Sequence, residues 1–98
     1  MTITKNQENE KLTIKIEGRL DTTTAPELEA ELKKSLDDVK ELVFDISELA
    51  YISSAGLRVL LSAQKVMNKQ GKMTVKGTNA AVMEIFEVTG FVDILNIE

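Results

Sequence analysis

The side chain best placed to do chemistry in this sequence is the hydroxyl of Ser54. The apolar segment Leu42–Ile46 predicts a buried strand, and a short loop then leads through Ser53 and Ser54 into the apolar spacing of a helix that carries Arg58. A helix N-terminus presents free backbone N–H groups and a partial positive charge, so it can solvate a phosphate. A hydroxyl there can cap the helix or accept a phosphoryl group, and from residue type alone the cap is the commoner outcome.

Several kinds of catalytic site are excluded by residue types that are missing. The chain has no cysteine and no histidine, so it cannot build thiol nucleophiles, Ser-His-Asp triads or metal sites with Cys or His ligands. A hydrolase that uses carboxylates alone needs two converging acids, and the spacing indicates no such pair. Asp45 is interpreted as a hydrogen-bonded structural carboxylate. No glycine pattern for nucleotide binding occurs. We expect a protein that is not an enzyme and binds no cofactor or metal.

Charge and hydropathy restrict the partners. Twelve basic residues stand against sixteen acidic ones, a net charge of −4, and only four residues are aromatic. This balance predicts no nucleic-acid partner. The longest apolar runs are four residues, at 49–52 and 80–83, far short of the roughly 20 that span a bilayer. The N-terminal residues do not resemble a secretion signal. We therefore expect no membrane insertion and a cytoplasmic location.

Alternation of apolar and polar residues predicts the strands. Positions 12, 14 and 16 are apolar, which is typical of a half-buried strand ending at Gly18, and residues 2–6 can pair with it across a turn at 6–10. The run Leu42–Ile46 predicts a central strand that is buried on both faces. Residues Lys72–Lys76 predict another strand. The tail around Ile94 can supply one last short strand or pack as an extended segment.

Helical spacing separates these strands. Apolar residues from Leu28 to Val39 recur every three or four positions, and Thr24 with Glu27 fits a capping box at the start of this first helix. The second helix follows Ser54 and ends at 71, where a glycine stands. The third is predicted between the N-cap residue at 79 and the glycine at 90.

The resulting order, β-β-α-β-α-β-α-β, predicts the fold class. It indicates one α/β domain over residues 1–98. Strands linked through helices should run parallel and the opening hairpin antiparallel, so the sheet is mixed. We expect the helices mainly on one face of this sheet.

Two short motifs resemble the bacterial anti-sigma factor antagonists of the STAS family. Gly18-Arg19-Leu20-Asp21 resembles the glycine-any-leucine-aspartate turn that ends the second strand of these proteins. Ser53-Ser54-Ala55-Gly56-Leu57 resembles the aspartate-serine-serine/threonine-glycine-leucine turn that opens their second helix. Both motifs occur in order and at a suitable separation, and the resemblance covers nearly the whole chain. It implies a STAS-like fold.

The resemblance also implies a role for individual residues. It places phosphorylation on Ser54, carried out by a partner anti-sigma factor that is itself a serine kinase. Ser53 stands where the family has an aspartate and becomes a competing acceptor. The resemblance implies a partner-binding patch made of Asp21, Thr22, Thr23, Ser53, Gly56, Leu57 and Arg58.

The implied mechanism is partner switching. The unmodified protein docks on the anti-sigma factor and displaces a bound sigma factor, phosphorylation ends this docking, and a serine phosphatase resets the switch. The same family fold also serves as a small cytoplasmic subunit of lipid-transporting ABC complexes, which is the alternative function. It occurs in sulfate transporters as well, but that assignment needs membrane spans, which this sequence does not contain.

Overall fold

The strands and helices follow the predicted order as far as the third helix. The computed structural model describes all of residues 1–98. Its elements are β1 (Thr2–Glu8), β2 (Lys11–Leu20), α1 (Ala25–Ser35), β3 (Glu41–Ile52), α2 (Ser54–Gln70), β4 (Lys72–Lys76), α3 (Ala80–Thr89) and a 3₁₀ turn (Phe91–Asp93). The sheet order is β1-β2-β3-β4, with β1 antiparallel to β2 and the other neighbours parallel. The prediction of one α/β domain with a mixed sheet is confirmed.

All three helices cover the same face of the sheet. One cluster of 24 residues holds every buried apolar side chain except Val43, and it includes the buried positions of α1, α2 and α3. Val43 points to the opposite face, because the residues on either side of it in β3, Leu42 and Phe44, belong to the cluster. The predicted placement of the helices is therefore confirmed. None of them is long and apolar enough to cross a membrane.

Strand β3 is more than twice as long as the predicted strand. The pattern predicts residues 42–46, whereas β3 continues to Ile52. Two register shifts interrupt its pairing with β2, one opposite Ile16 and one between Gly18 and Arg19. Each leaves an extra residue in β3, so the alternation of apolar and polar positions breaks there. The segment therefore resembles a loop in sequence although it remains paired.

The C-terminal tail does not form the expected last strand. A 3₁₀ turn occupies residues 91–93, and the tail then makes one parallel bridge between Ile97 and Val75. Leu95 is buried in the core. Of the two alternatives for the tail, packing as an extended segment is the one that the structure shows.

The first helix ends earlier than its apolar spacing predicts. Helix α1 stops at Ser35, and Asp38 has a left-handed backbone with φ 64°. Val39 is nevertheless fully buried, because the loop folds back onto the core. The side-chain amide of Gln70 donates hydrogen bonds to the carbonyls of Leu36 and Val39, both at 2.7 Å. Gln70 thus holds the loop after α1 against the end of α2.

Gln70→Leu is expected to destabilise the protein by about 1–3 kcal/mol, because it leaves two loop carbonyls without their donor. Gln64→Leu in the same helix is the matched control. The Gln64 side chain makes one hydrogen bond, donated by its Nε2 to Asn68 Oδ1 at 2.8 Å, and its oxygen is buried without a partner. Loss of that bond is offset by removal of the unpaired oxygen, so Gln64→Leu should change the free energy of unfolding less than Gln70→Leu does. Urea denaturation measures both variants, and equal losses of stability would contradict the role given to Gln70.

Candidate functional site

Ser54 lies at the first position of α2, with its side chain exposed. Ser53, rather than Ser54, occupies the N-cap position. The first helical hydrogen bond runs from the N–H of Leu57 to the carbonyl of Ser53 at 2.9 Å, so the N–H groups before Leu57 have no partner within the helix. Ser54 therefore places a hydroxyl in solvent at the positive end of a 17-residue helix.

The two neighbouring serines differ in accessibility. The Ser53 hydroxyl oxygen is buried, has no hydrogen-bond partner and does not cap the helix. The Ser54 side chain is exposed. An enzyme that transfers a phosphoryl group must reach the acceptor oxygen, and of the two serines only Ser54 has an accessible side chain in the folded protein.

One backbone contact brings the two sequence motifs together. The N–H of Ser53 donates to the carbonyl of Leu20 at 2.9 Å. This bond places the loop that begins at Asp21 beside the start of α2. Thr22 and Arg58 line one shallow groove between α1 and α2.

The predicted patch separates into surface and supporting residues. Thr22, Thr23 and Arg58 are exposed and Asp21 is half-buried; together with Ser54 we call them the Ser54 face. Gly56 and Leu57 are buried. They support the first turn of α2 from beneath.

Gly56 permits close packing under this turn. A Cβ atom at position 56 would lie 2.7 Å from Leu20 Cγ and 2.9 Å from Ile52 Cγ1. The glycine therefore lets α2 start directly against the ends of β2 and β3. Gly56 therefore contributes to the site by letting the N-terminus of α2 lie this close to the sheet.

Asp21 organises the loop before α1. Its carboxylate oxygen Oδ1 accepts hydrogen bonds from the N–H groups of Thr23 (3.0 Å) and Thr24 (3.1 Å). The Thr24 hydroxyl accepts from the N–H of Asp21 and donates to the carbonyl of Arg19, both at 2.8 Å. The predicted capping box at Thr24 is therefore wrong, because this hydroxyl is already engaged on the loop side and makes no capping bond.

These bonds lower the pKa of the Asp21 carboxyl. The Thr24 N–H has the largest effect, and the Thr23 N–H, the Thr24 hydroxyl and the charge of Arg19 act in the same direction. Since the folded-state pKa lies below the unfolded one, the loop interaction is fully present above the unfolded value. It is lost as the pH falls through the folded value.

A carbon-detected NMR titration should therefore give Asp21 a midpoint below that of an unstructured aspartate. The amide protons of Thr23 and Thr24 should shift at the same midpoint, because both donate to the titrating oxygen. In Asp21→Asn this coupled shift should vanish. Amide shifts that follow a different midpoint, or persist in Asp21→Asn, would contradict the assignment.

A cation–π pair borders the Ser54 face and was not foreseen from the sequence. The Arg19 guanidinium lies 4.4 Å from the centre of the Tyr51 ring, and its Nε is 3.8 Å from Asp21 Oδ2. Arg19 and Tyr51 are cross-strand partners only because of the second register shift. No spacing in the sequence indicates this pairing, since a regular register from Lys15 and Asp45 would set a different residue opposite Arg19.

Comparisons with known proteins identify the family of this chain. Residues 2–98 match the STAS domain family. The proposed anti-sigma factor antagonist BtrV of Bordetella bronchiseptica is 40% identical over 81 residues, which span 81% of this chain and 70% of BtrV.

Solved structures share the fold. An anti-sigma factor antagonist from Mycobacterium paratuberculosis superposes with a TM-score of 0.89 at 23% identity, covering 98% of this chain and 83% of that one. The Bacillus cell fate determinant SpoIIAA in its phosphorylated form superposes with a TM-score of 0.77 at 14% identity, covering 99% and 91%. With the family match over nearly all residues and a relative at 40% identity, this chain belongs to the STAS domain family.

Proposed function

We propose that this protein is an anti-sigma factor antagonist that binds its cognate anti-sigma factor through the Ser54 face and is switched off by phosphorylation of Ser54. The observation that carries the proposal is the exposed Ser54 hydroxyl at the start of α2, beside the Asp21 loop. The 40% identity to BtrV, a proposed protein of this class, supports it. In this role the protein is a binding partner rather than an enzyme, and it acts in the cytoplasm.

Electrostatics explain how one phosphate can control docking. The unmodified face carries the cation Arg58 and the anion Asp21 beside the neutral Ser54, and Arg19 borders it. A phosphate on Ser54 adds about −1.5 to −2 charges at the centre of this surface. We expect a partner surface that fits the neutral Ser54 to place no cation opposite it, so docking must remove water from the phosphate without gaining an ion pair across the interface. Docking weakens as a result.

The fold should tolerate the same phosphate. Its oxygens would lie at the N-terminus of α2, near the N–H groups that precede the first helical hydrogen bond. The helix dipole favours a negative charge at that end by about 0.3–1 kcal/mol. Modification therefore acts on the partner contact, while the monomer keeps its structure.

The partner that adds the phosphate is an anti-sigma factor with serine kinase activity, and a serine phosphatase removes it. Ser53 replaces the aspartate that the STAS resemblance places beside the acceptor, so this kinase must accept a neutral residue there. The burial of the Ser53 hydroxyl supports Ser54 as the acceptor.

The test is phosphorylation of the purified protein by the candidate anti-sigma kinase from the same genome with Mg-ATP. Intact mass and peptide mapping should show one phosphate on Ser54, none in Ser54→Ala, and release of the kinase from the modified protein. Ser53→Ala is the matched control and should be modified like the original protein.

Two results would overturn parts of the proposal. Phosphate on Ser53 would move the switch by one residue and contradict the accessibility argument. Absence of both phosphate and kinase binding, together with stable copurification with an ATPase, would overturn the proposal in favour of a subunit of an ABC complex.

A further inference from the structure

No helix covers the sheet face opposite α1, α2 and α3, and we call it the open face. Asn96 of the C-terminal tail reaches its edge and donates from Nδ2 to the Thr74 hydroxyl at 3.4 Å. Register pairs arrange most of its side chains in three rows that cross the strands from β1 to β4, and beyond the third row a further pairing sets Thr2, Glu17 and Glu48 side by side. The first row is Glu8, Lys11, Glu41 and Lys72; the middle row is Asn6, Thr13, Val43 and Thr74; the last row is Thr4, Lys15, Asp45 and Lys76.

Charges on the open face alternate in sign along two of these rows. Read from β1 to β4, the first row is negative, positive, negative, positive. The last row is neutral, positive, negative, positive. The middle row is uncharged, and its Val43 and Thr74 are only 6% and 7% exposed. A neutral stripe with a shielded centre therefore lies between two rows of alternating charge.

Pairing within the chain satisfies few of these charges. The Lys72 ammonium lies 3.9 Å from a Glu41 carboxylate oxygen, which is the one ion pair among the three rows. Lys11, Lys15 and Lys76 have no carboxylate within 4.0 Å. The basic groups of the open face are thus available to acids on another surface.

The pattern is complementary to itself under one specific symmetry. A two-fold axis parallel to the strands, midway between β2 and β3, lays β1 over β4 and β2 over β3 of a second copy and keeps each row in line. Glu8 then faces Lys72, Lys11 faces Glu41, and Lys15 faces Asp45, each across the interface. Within the three rows no two like charges meet. In the pairing beyond them Glu17 of one copy faces Glu48 of the other, so each half of the dimer has three attractive contacts and one repulsive contact.

A two-fold axis across the strands has the opposite effect. It lays the first row over the last, so Lys11 faces Lys15, Glu41 faces Asp45 and Lys72 faces Lys76 of the other copy. All three pairs repel. The charge pattern therefore selects one of the two simple ways of stacking the sheets.

We propose that the open face binds a second copy of this chain, forming a symmetric dimer with its two sheets stacked face to face and their strands parallel. Sheets pack in this aligned way in sandwich folds, about 10 Å apart. The middle row supplies a neutral centre, in which Val43 and Thr74 are already shielded and Asn6 and Thr13 remain accessible, and the charged rows form the rim.

The dimer should be weak, because a four-stranded face of this length is smaller than a standard protein interface. A dissociation constant on the order of 100 µM is expected at low salt. Screening should weaken it further at high ionic strength. Since the axis runs along the strands, both Ser54 faces lie at the same end of the dimer, beyond the three rows, and the proposal of self-association does not depend on the proposed function.

Sedimentation equilibrium over about 10 µM to 1 mM at low salt tests the proposal. The weight-average mass should rise from monomer toward dimer with concentration and fall back in high salt. Lys11→Glu alone and Glu41→Lys alone should each stay monomeric, because each sets two pairs of like charges face to face.

The decisive measurement is an equimolar mixture of the two single variants. The glutamate introduced at position 11 of one copy then meets the lysine introduced at position 41 of the other, and the native Glu41 meets the native Lys11. Dimer mass should return in the mixture, which a folding defect in either variant cannot produce. A native protein that stays monomeric at 1 mM and low salt, or variants that are not rescued by mixing, would overturn the proposal.

Discussion

Ser54→Asp is expected to weaken binding to the cognate anti-sigma factor by about 100-fold or more, while the folded structure is retained. The substitution places a fixed negative charge at the centre of the Ser54 face. Removing an unpaired charge from water at an interface costs several kcal/mol, and about 2.7 kcal/mol already corresponds to 100-fold in affinity. Isothermal titration calorimetry with the purified anti-sigma factor measures the loss.

The matched control is Ser54→Asn, which has nearly the same size and shape as aspartate but no charge. If charge is the cause, Ser54→Asn should keep affinity within about tenfold of the original protein. Equal losses in both variants would show that bulk rather than charge disrupts the contact. That result would contradict the electrostatic account of the switch.

The same variants separate effects on binding from effects on stability. The introduced carboxylate lies at the first position of α2, where the helix dipole favours it. The free energy of unfolding of Ser54→Asp should therefore equal or slightly exceed that of Ser54→Asn. Marked destabilisation by the aspartate would mean that the N-terminus of α2 cannot accept a negative charge, contrary to the proposed tolerance of phosphate.

Gly71→Ala is expected to destabilise the protein by about 3 kcal/mol or more. A Cβ atom at position 71 would overlap the carbonyl oxygen and carbon of Lys40. That carbonyl cannot retreat easily, because it accepts a hydrogen bond from the N–H of Lys72 at 2.9 Å where β4 begins beside β3. Relief of the overlap must therefore separate the C-terminus of α2 from the sheet.

Gly90→Ala is the comparison that isolates backbone strain. Gly90 has φ 80°, and a Cβ added to it would meet no atom within 4 Å. Gly90→Ala should therefore lose only the stability that the left-handed backbone costs an alanine, about 1–2 kcal/mol. Gly71 has φ 179°, which any residue adopts, so the loss of stability in Gly71→Ala comes from the steric overlap alone. Urea denaturation of both variants should place Gly71→Ala well below Gly90→Ala in stability. The reverse order would contradict the close approach to Lys40.

Local patterns in the sequence were sufficient for the element order. Alternation of apolar and polar residues predicted β2 and β4. The capping residues Asn79 and Gly90 stand at the two ends of α3, as expected. These signals work because hydrogen bonding and burial within one element depend mainly on neighbouring residues. The C-terminal ends of β3 and α1 were less predictable. The bulges in β3 and the loop that returns to the core after α1 both depend on contacts between segments that are distant in the sequence.

The sequence by itself determined the chemistry that this protein can carry out. Without cysteine or histidine, its candidate functional group is a hydroxyl at a helix start, and the two motifs around Asp21 and Ser54 indicated the family. These conclusions depend only on which side chains are present and on their spacing along the chain.

Only the tertiary structure decided which of the adjacent serines is accessible. Neighbours in sequence can point in different directions at the start of a helix, so the burial of the Ser53 hydroxyl depends on the strands packed against it. The pairing of Arg19 with Tyr51 and the charge rows of the open face likewise depend on strand register. Register is set by bulges and by long-range packing, which no short stretch of sequence specifies.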